Sequence, residues 1–193
     1  MAHSGFIPLD YLDRYCEDGS ELGGHTSNHY VPDIPLSTGS LGHALPVAVG
    51  VALGKRLKSK PGDIYVILSD GECDEGRNWE AALLATHLNL TNLIVVIDRN
   101  GLQSMGDTES IVRLEPLPEK WISFGWNTSV IDGHSHLEIK EALLKPRNGP
   151  HCIIANTIKG KGVSFMENDI LWHYRPPNFS EFSLGLTEIQ AQK

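Results

Sequence analysis

Two unbroken apolar segments constrain the fold most strongly: Ile64–Ser69 (IYVILS) and Asn92–Asp98 (NLIVVID). Continuous β-branched runs of this length are typical of strands buried on both faces in a parallel sheet. A helical pattern from about Gly76 to Leu88 separates them. Its predicted inner stripe consists of Trp79, Ala82, Leu83 and Thr86. A strand, a helix and a strand within about 35 residues predict a βαβ unit with a right-handed crossover.

Further elements extend this unit in both directions. Two more strands are predicted at Thr128–Asp132 and His151–Thr157, with a helix at about Leu137–Leu144 between them. Upstream, a small-residue loop (STGSLG) precedes a helical pattern that begins near His43, and a short helix is predicted from Asp10 to Glu17. Together, these elements predict an α/β fold with a mainly parallel sheet and helices on both faces. We expect one domain over residues 1–193.

Composition excludes some partners. The 193 residues are 40% hydrophobic and 21% charged, with 16 Lys and Arg against 24 Asp and Glu, a net charge of -8. This balance argues against nucleic acid or an anionic membrane as the main partner. The cysteines, Cys16, Cys73 and Cys152, are sparse and odd in number, which favours free thiols in a reducing compartment. Without a membrane-span pattern or a signal-peptide pattern, we predict a cytoplasmic protein.

Polar residues follow both strands of the βαβ unit. The first strand ends in Asp70-Gly71-Glu72, and the second in Asp98-Arg99-Asn100. The carboxyl ends of parallel strands share one edge of the sheet, where ligands bind. A carboxylate and neutral carbonyl oxygens suit Mg²⁺, provided that a diphosphate fills the remaining coordination positions. We refer to these two polar segments as the two tips. Taken singly, each tip is also explained as an ordinary turn.

The segments SDGECDEGRNWEAA and DRNGLQ resemble the cofactor motif of the transketolase family, Gly-Asp-Gly followed about thirty residues later by Asn. The resemblance is to the amino-terminal half found as a separate subunit in split transketolase-like enzymes, and Ser69 replaces the first glycine. It implies a three-layer α/β/α sandwich, the diphosphate-binding domain of thiamine-diphosphate enzymes. The cofactors it implies are thiamine diphosphate and Mg²⁺, or another divalent cation such as Ca²⁺ or Mn²⁺.

The same resemblance assigns the residues of the two tips. Asp70, the Asn100 side chain and the Leu102 backbone carbonyl are expected to bind the metal. Gly71 is expected to meet the diphosphate through its amide, and Glu72 is included among the cofactor-binding residues.

Three other segments resemble family elements. STGSLG matches a loop beside the cofactor, contributing Gly39, Ser40 and Leu41, although His43 stands where glutamine is usual. His25 in GGHTS resembles a substrate-contacting histidine whose usual following proline is missing here. Lys159 and His173 resemble a lysine and a histidine that reach the cofactor phosphates and the substrate; Tyr174 replaces the glycine that usually follows that histidine.

The resemblance implies catalytic roles for His25, His173 and Glu75. Glu75 and Glu80 also correspond to an acidic cluster that links two active sites across the family's dimer interface. Without the resemblance, both are acids at an exposed helix start, where the helix dipole favours them. A lone histidine such as His25 or His43 is, by the same standard, most often a structural hydrogen bonder. His134 and His136 are assigned no chemistry.

The implied function is transfer of a two-carbon ketol unit between sugar-phosphate or polyol-ketone donors and aldose acceptors. A partner chain, the pyrimidine-binding subunit, is expected to supply the activating glutamate, in a dimer of heterodimers. The family's early Ser-x-Gly-His element is expected to be missing, because Ala2-His3-Ser4-Gly5-Phe6 does not fit it. Two alternatives remain open: a thiamine-diphosphate-dependent 2-oxoacid decarboxylase or synthase subunit, and a non-catalytic scaffold subunit.

Overall fold

A computed structural model describes residues 1–192, which form two compact units, Met1–Ala44 and the chain from Leu45 onward. The second unit is built on a four-stranded parallel sheet in the order β1-β2-β6-β5. A two-stranded antiparallel hairpin, β3 and β4, follows β2 directly. The strand bounds are β1 Ile64–Ser69, β2 Leu93–Arg99, β3 Leu102–Gln103, β4 Gly106–Asp107, β5 Asn127–Asp132 and β6 His151–Asn156.

Six α-helices connect or follow these strands in the residues described: α1 Ala44–Leu57, α2 Gly76–His87, α3 Thr108–Ile111, α4 Leu117–Ser123, α5 His136–Leu144 and α6 Phe179–Ala191. The four predicted strands and the helices α2 and α5 are present within one or two residues of their predicted bounds. The α/β class and the parallel sheet are therefore confirmed. Helix α4 and the β3–β4 hairpin were not predicted.

Helix α5 covers one face of the sheet. Ala142 and Leu143 pack there against Ile94, Val96 and Ile153. On the other face, alternate residues of the strands are buried as well: Val66, Leu68, Val95, Ile97, Cys152 and Ile154. Strands β2 and β6 are thus buried on both faces, which explains their continuous apolar runs. The same prediction is wrong for β1, because Tyr65 and Ile67, on the face that α5 covers elsewhere, are 55% and 75% exposed.

The predicted inner stripe of α2 is partly wrong. Leu83 is 59% exposed, and the residues that α2 buries are Asn78, Ala81, Ala82 and Ala85. Most of the residues that face inward are small, and aromatic packing holds the start of α2. The Trp79 ring lies 5.3 Å from the Trp121 ring of α4, which in turn lies 4.9 Å from Trp126. The Trp126 indole donates a 3.0 Å hydrogen bond to the Ala82 carbonyl and fixes the helix against the chain entering β5.

The first unit consists mainly of turns. Its short helical segments are 3₁₀ turns at Ala2–Ser4 and Leu9–Arg14, the second of which overlaps the helix predicted from Asp10 to Glu17. Ala2, Ile7, Val31 and Ile34 form its small apolar cluster. Of the helices in residues 1–192, none is both long and apolar enough to cross a bilayer.

Candidate functional site

The carboxyl ends of the four strands lie in register at one edge of the sheet. Ser69 pairs with Asp98, Arg99 pairs with Asn156, and Asp132 pairs with Asn156 on its other side. Asp70 follows β1 directly and is completely buried. The sheet register thus brings the two polar tips of the βαβ unit to one edge, as the sequence predicts.

Hydrogen bonds hold both oxygens of the Asp70 carboxylate. Its Oδ1 accepts from the Gly71 amide at 2.8 Å. Its Oδ2 accepts from the Gly101 amide at 2.6 Å and from Arg99 Nη1 at 3.1 Å. A carboxylate without solvent needs such partners to stay charged. The chain that follows β2 therefore folds directly onto the acid that follows β1.

The segment after Arg99 reverses direction through glycine. Gly101 has a φ of +80°, a conformation that L side chains rarely adopt. The Asn100 side chain supports the turn by accepting a 3.0 Å hydrogen bond from the Leu102 amide. Asn100 and Leu102, two of the predicted metal ligands, thus flank the residue whose amide bonds to Asp70, the third.

Gly71 lies against the hairpin with no room for a side chain. A Cβ at this position would be 2.8 Å from the Gln103 Cβ, which is closer than real Cβ contacts occur. Because the φ of Gly71 is not positive, close approach rather than backbone geometry requires the glycine. The Gly71 amide donates to Asp70 Oδ1, and its expected contact with a diphosphate stays a prediction.

The turn that follows Asp70 is anchored by side chains. Ser69, which replaces the family's first glycine, accepts a 3.0 Å hydrogen bond from the Glu72 amide. The buried side-chain amide of Asn78 donates to the Glu72 backbone carbonyl at 2.7 Å. The Trp79 indole donates to the Cys73 backbone carbonyl at 2.9 Å. The start of α2 therefore fixes this turn, and the serine is accommodated as a stabilising residue.

The predicted acidic residues in the turn and at the start of α2 differ in exposure. The Glu72 side chain is buried, whereas Glu75, which precedes α2, and Glu80, on α2, are exposed. Exposure is compatible with the expected interface role of Glu75 and Glu80, which stays a prediction.

Lys159 and His173 lie in the segment after β6. The Lys159 carbonyl accepts from the Asn168 amide at 3.0 Å and closes a compact loop. His173 ends a 3₁₀ turn, Ile170–His173, which lies against the Leu102–Gln103 strand. The His173 side chain is exposed, and its ring meets Tyr174 edge-on at 5.3 Å. The turn that carries His173 is thus a neighbour of the hairpin that carries Leu102.

His134 has a structural role. Its Nε2 accepts a 2.8 Å hydrogen bond from the Ile158 amide. This contact fixes the start of the Lys159 loop, which agrees with assigning His134 no catalytic chemistry.

In the first unit, the two predicted loops pair with each other. The Thr38 amide donates to the Thr26 carbonyl at 3.0 Å, and the two threonine hydroxyls lie 2.7 Å apart. This pairing brings His25 against Gly39. Ser40 and Leu41 are exposed, and His43 Nδ1 lies 3.2 Å from the Ser40 carbonyl and 3.0 Å from that of Leu41.

Sequence reasoning missed Arg99 and Gln103 as parts of the site. Arg99 is only 11% exposed and pairs with Asp70, and Gln103 forms the wall over Gly71. A signal for Arg99 was present, since a cation at the end of a buried strand must find carboxylates. The contact of Gln103 follows from the hairpin, which the sequence pattern did not predict.

The residues present fit a divalent cation carried with a diphosphate. Within residues 1–192, no three His, Cys, Asp or Glu side chains are arranged as a metal site of their own. A cation here would instead use one buried carboxylate, one amide oxygen and one backbone carbonyl, which are hard oxygen donors suited to Mg²⁺. Phosphate oxygens would complete its coordination.

The fold and this edge define an α/β protein that binds its ligand at the carboxyl ends of a parallel sheet. Residues 3–178 match the family described as the transketolase, thiamine diphosphate binding domain. The chain belongs to this family. It is accordingly a component of a thiamine-diphosphate-dependent transferase, and its relatives include subunits of multi-chain transketolases.

Individual relatives support this membership along the whole chain. An apulose-4-phosphate transketolase subunit from Actinobacillus succinogenes is 42% identical over 194 residues, covering 100% of this chain and 70% of that protein. The 6-deoxy-6-sulfo-D-fructose transketolase subunit SqwG of Clostridium sp. is 41% identical over 195 residues, covering 100% and 71%. Among solved structures, transketolase from Campylobacter jejuni superposes with a TM-score of 0.88 at 26% identity, covering 94% of this chain and 30% of that one.

Proposed function

We propose that this chain is the diphosphate- and Mg²⁺-binding subunit of a split transketolase-like enzyme. The enzyme transfers a two-carbon ketol unit from a ketose donor to an aldose acceptor. The observation that carries the proposal is the buried Asp70 carboxylate, held at the sheet edge by the Gly71 and Gly101 amides. The Asn100–Leu102 turn lies directly beside it.

Asp70, Asn100 and the Leu102 carbonyl bind the metal in this proposal, and Lys159 binds phosphate oxygens. Gly71 lies beside the diphosphate, and its amide contributes indirectly by holding the Asp70 carboxylate. When bound, thiamine diphosphate would supply the nucleophilic carbon and the electron sink that transfer of a ketol unit needs. The cation at Lys159 favours an anionic ligand. Gly39, Ser40, Leu41 and Glu72 form further parts of the cofactor's surroundings.

His25 and His173 act on the substrate in this proposal. An imidazole that is exposed in the isolated chain is free to hydrogen-bond substrate hydroxyls and to exchange protons with them. Each is placed by its neighbours: His25 by the paired Thr26 and Thr38 segments, and His173 by its turn against the Leu102–Gln103 strand.

A partner chain completes the active site. Two of the relatives described above are named as subunits, which supports a heteromeric assembly. The pyrimidine-binding partner supplies the activating glutamate, and two such pairs form a dimer of heterodimers. Glu75 and Glu80, exposed near the start of α2, contribute to the acidic contact between active sites.

The substrates are ketoses, or their phosphates, whose carbonyl neighbours a hydroxymethyl group. The names of the two relatives specify apulose 4-phosphate and 6-deoxy-6-sulfo-D-fructose.

Cofactor titration tests the proposal. Thiamine diphosphate is titrated by calorimetry, with and without Mg²⁺, into the chain alone and into its mixture with the partner chain encoded beside it. We expect Mg²⁺-dependent binding that Asp70→Asn abolishes. The matched control is Asp63→Asn, which removes an acid at the opposite end of β1 that pairs with Arg147. Binding that Asp70→Asn leaves unchanged would refute the site.

Product analysis then separates the three activities. Formation of a ketose longer by two carbons, by the mixture and not by either chain alone, supports the split transketolase. Release of CO₂ from a 2-oxoacid supports the decarboxylase or synthase instead. Stable assembly of the two chains with neither product supports a scaffold.

A further inference from the structure

We infer that Arg99 is a positioning residue that orients the Asp70 carboxylate for the metal. The inference rests on the proposed function, because it concerns the same cation. Arg99 touches neither cofactor nor substrate in this view. It acts through Asp70, whose Oδ2 it holds by a 3.1 Å ion pair in the interior of the site.

Every N–H group of the Arg99 guanidinium has an acceptor. Nη1 donates to Asp70 and, at 2.7 Å, to the buried hydroxyl of Thr108. Nη2 donates to Glu109 at 2.9 Å and to Glu115 at 3.2 Å, and Nε donates to Glu115 at 3.3 Å. A planar guanidinium that is held at all its donors has one orientation. Arg99 is therefore a rigid support and not a mobile counter-ion.

This support leaves Asp70 one open coordination position. A carboxylate offers about four lone-pair positions, two on each oxygen. On Oδ2, the Gly101 amide and Arg99 occupy both. On Oδ1, the Gly71 amide occupies one. A cation is thereby directed to the remaining lone pair of Oδ1, so that Asp70 binds through a single oxygen.

The charges around Arg99 explain how a cation is tolerated near another positive charge. Three carboxylates, those of Asp70, Glu109 and Glu115, face this one guanidinium. The summed charge of these three carboxylates and the guanidinium is negative. Glu109 and Glu115 therefore offset the repulsion between Arg99 and the metal.

Metal affinity tests the inference without reference to turnover. Mn²⁺ is titrated into the full chain in the presence of inorganic diphosphate, and free Mn²⁺ is followed by electron paramagnetic resonance. Arg99→Lys keeps the charge but loses the planar arrangement of donors. We expect it to weaken Mn²⁺ binding about 10- to 100-fold, the range found when a group that orients a metal ligand is changed.

Arg147→Lys is the matched control. Arg147 is 13% exposed, pairs with Asp63 and donates to the Thr91 carbonyl, at the opposite end of the sheet. A merely structural role for Arg99 would lower the thermal midpoint in both variants and leave Mn²⁺ affinity unchanged in both. We expect the affinity to change only for Arg99→Lys.

Glu115→Gln separates orientation from charge. It removes one compensating carboxylate at a position where the side chain is largely solvated. We expect a loss of affinity of about two- to fivefold that shrinks as salt is added. The loss in Arg99→Lys should persist at high salt, because it comes from geometry.

The outcomes distinguish this inference from the proposed function. If the unsubstituted chain binds no Mn²⁺, the metal assignment fails and the inference fails with it. If the unsubstituted chain binds Mn²⁺, Asp70→Asn abolishes binding and Arg99→Lys binds as tightly as the unsubstituted chain, the inference alone is overturned.

Discussion

The imidazole of His25 lies directly against the backbone of Gly39. A Cβ on Gly39 would be 2.1 Å from the Cδ2 of His25, and the φ of Gly39 is +125°. The GGHTS and STGSLG segments, which resemble two separate elements of the same site, thus determine each other's position. The glycine leaves the space in which the histidine ring rests.

Gly39→Ala is expected to displace the His25 ring. The new methyl group occupies the position of the ring, and the backbone conformation disfavours any L side chain. We expect the His25 ring signals in a ¹H–¹⁵N NMR spectrum to shift, and ketol transfer with the partner chain to fall at least tenfold. Gly19→Ala is the control, since Gly19 has a φ of +79° but open space around it. Equal effects of the two substitutions would contradict the proposed contact.

Gly71→Ala is expected to impair cofactor binding more than stability. Its Cβ meets the Gln103 side chain at 2.8 Å and forces the hairpin away from Asp70. We expect calorimetry to show thiamine diphosphate binding weakened at least tenfold in the presence of Mg²⁺. Gly76→Ala is the control, because a Cβ at this first residue of α2 would meet no neighbouring atom within 4 Å. This variant should bind thiamine diphosphate normally. Normal binding by Gly71→Ala would show that no close approach to the backbone is needed there.

The three thiols are expected to differ sharply in reactivity. Cys16 is exposed, whereas Cys73 and Cys152 are buried. Burial raises the pKa of Cys73 to about 12, helped by Asp70, Glu72 and Asp74, and burial raises the pKa of Cys152 as well. Because the thiolate is the reactive form, iodoacetamide should modify only Cys16 in the folded chain. Peptide mass spectrometry checks this, with urea-unfolded chain as the fully labelled control. Rapid labelling of Cys73 under native conditions would contradict the structure.

The sequence predicted those parts of the fold in which local pattern and burial agree. Strands β2 and β6 are continuous apolar runs because both of their faces are covered, whereas β1 is an apolar run although Tyr65 and Ile67 are exposed on one of its faces. The predicted stripe of α2 was partly wrong because Leu83 is apolar but exposed, while the buried positions are held by alanines and Asn78. Small side chains carry a weak hydrophobic signal, and the tight packing that requires them is a tertiary property.

The site shows the same division. Asp70 and Asn100 were predictable because parallel strands place their ends at one edge. The contacts of Arg99 were not predictable, because they depend on Thr108, Glu109 and Glu115. These residues follow the unpredicted β3–β4 hairpin, whose strands have two residues each. No local pattern specifies which carboxylates an arginine will meet across such a turn.

His151 at the start of β6 makes stability depend on pH. The ring is almost fully buried, and its Nε2 lies 3.0 Å from the Ser129 hydroxyl. Burial, and to a smaller extent the nearby charges of Lys145 and Arg147, together lower the pKa of His151 to about 4. In the unfolded chain, the ordinary histidine pKa of about 6.5 returns. Between these two values, the unfolded state binds the proton and the folded state does not.

The free energy of unfolding should therefore fall as the pH drops from about 6.5 toward 4, with a slope of at most about 1.4 kcal/mol per pH unit from this residue. Its contribution is complete above pH 6.5 and is lost between pH 6.5 and about 4, to a total of at most about 3.4 kcal/mol. Urea unfolding at pH 4.5, 5.5, 6.5 and 7.5 measures the slope. His151→Gln, which does not titrate, should flatten it, while His87→Gln at the exposed end of α2 should not. The same slope in the unsubstituted chain and in His151→Gln would show that His151 is not the group responsible.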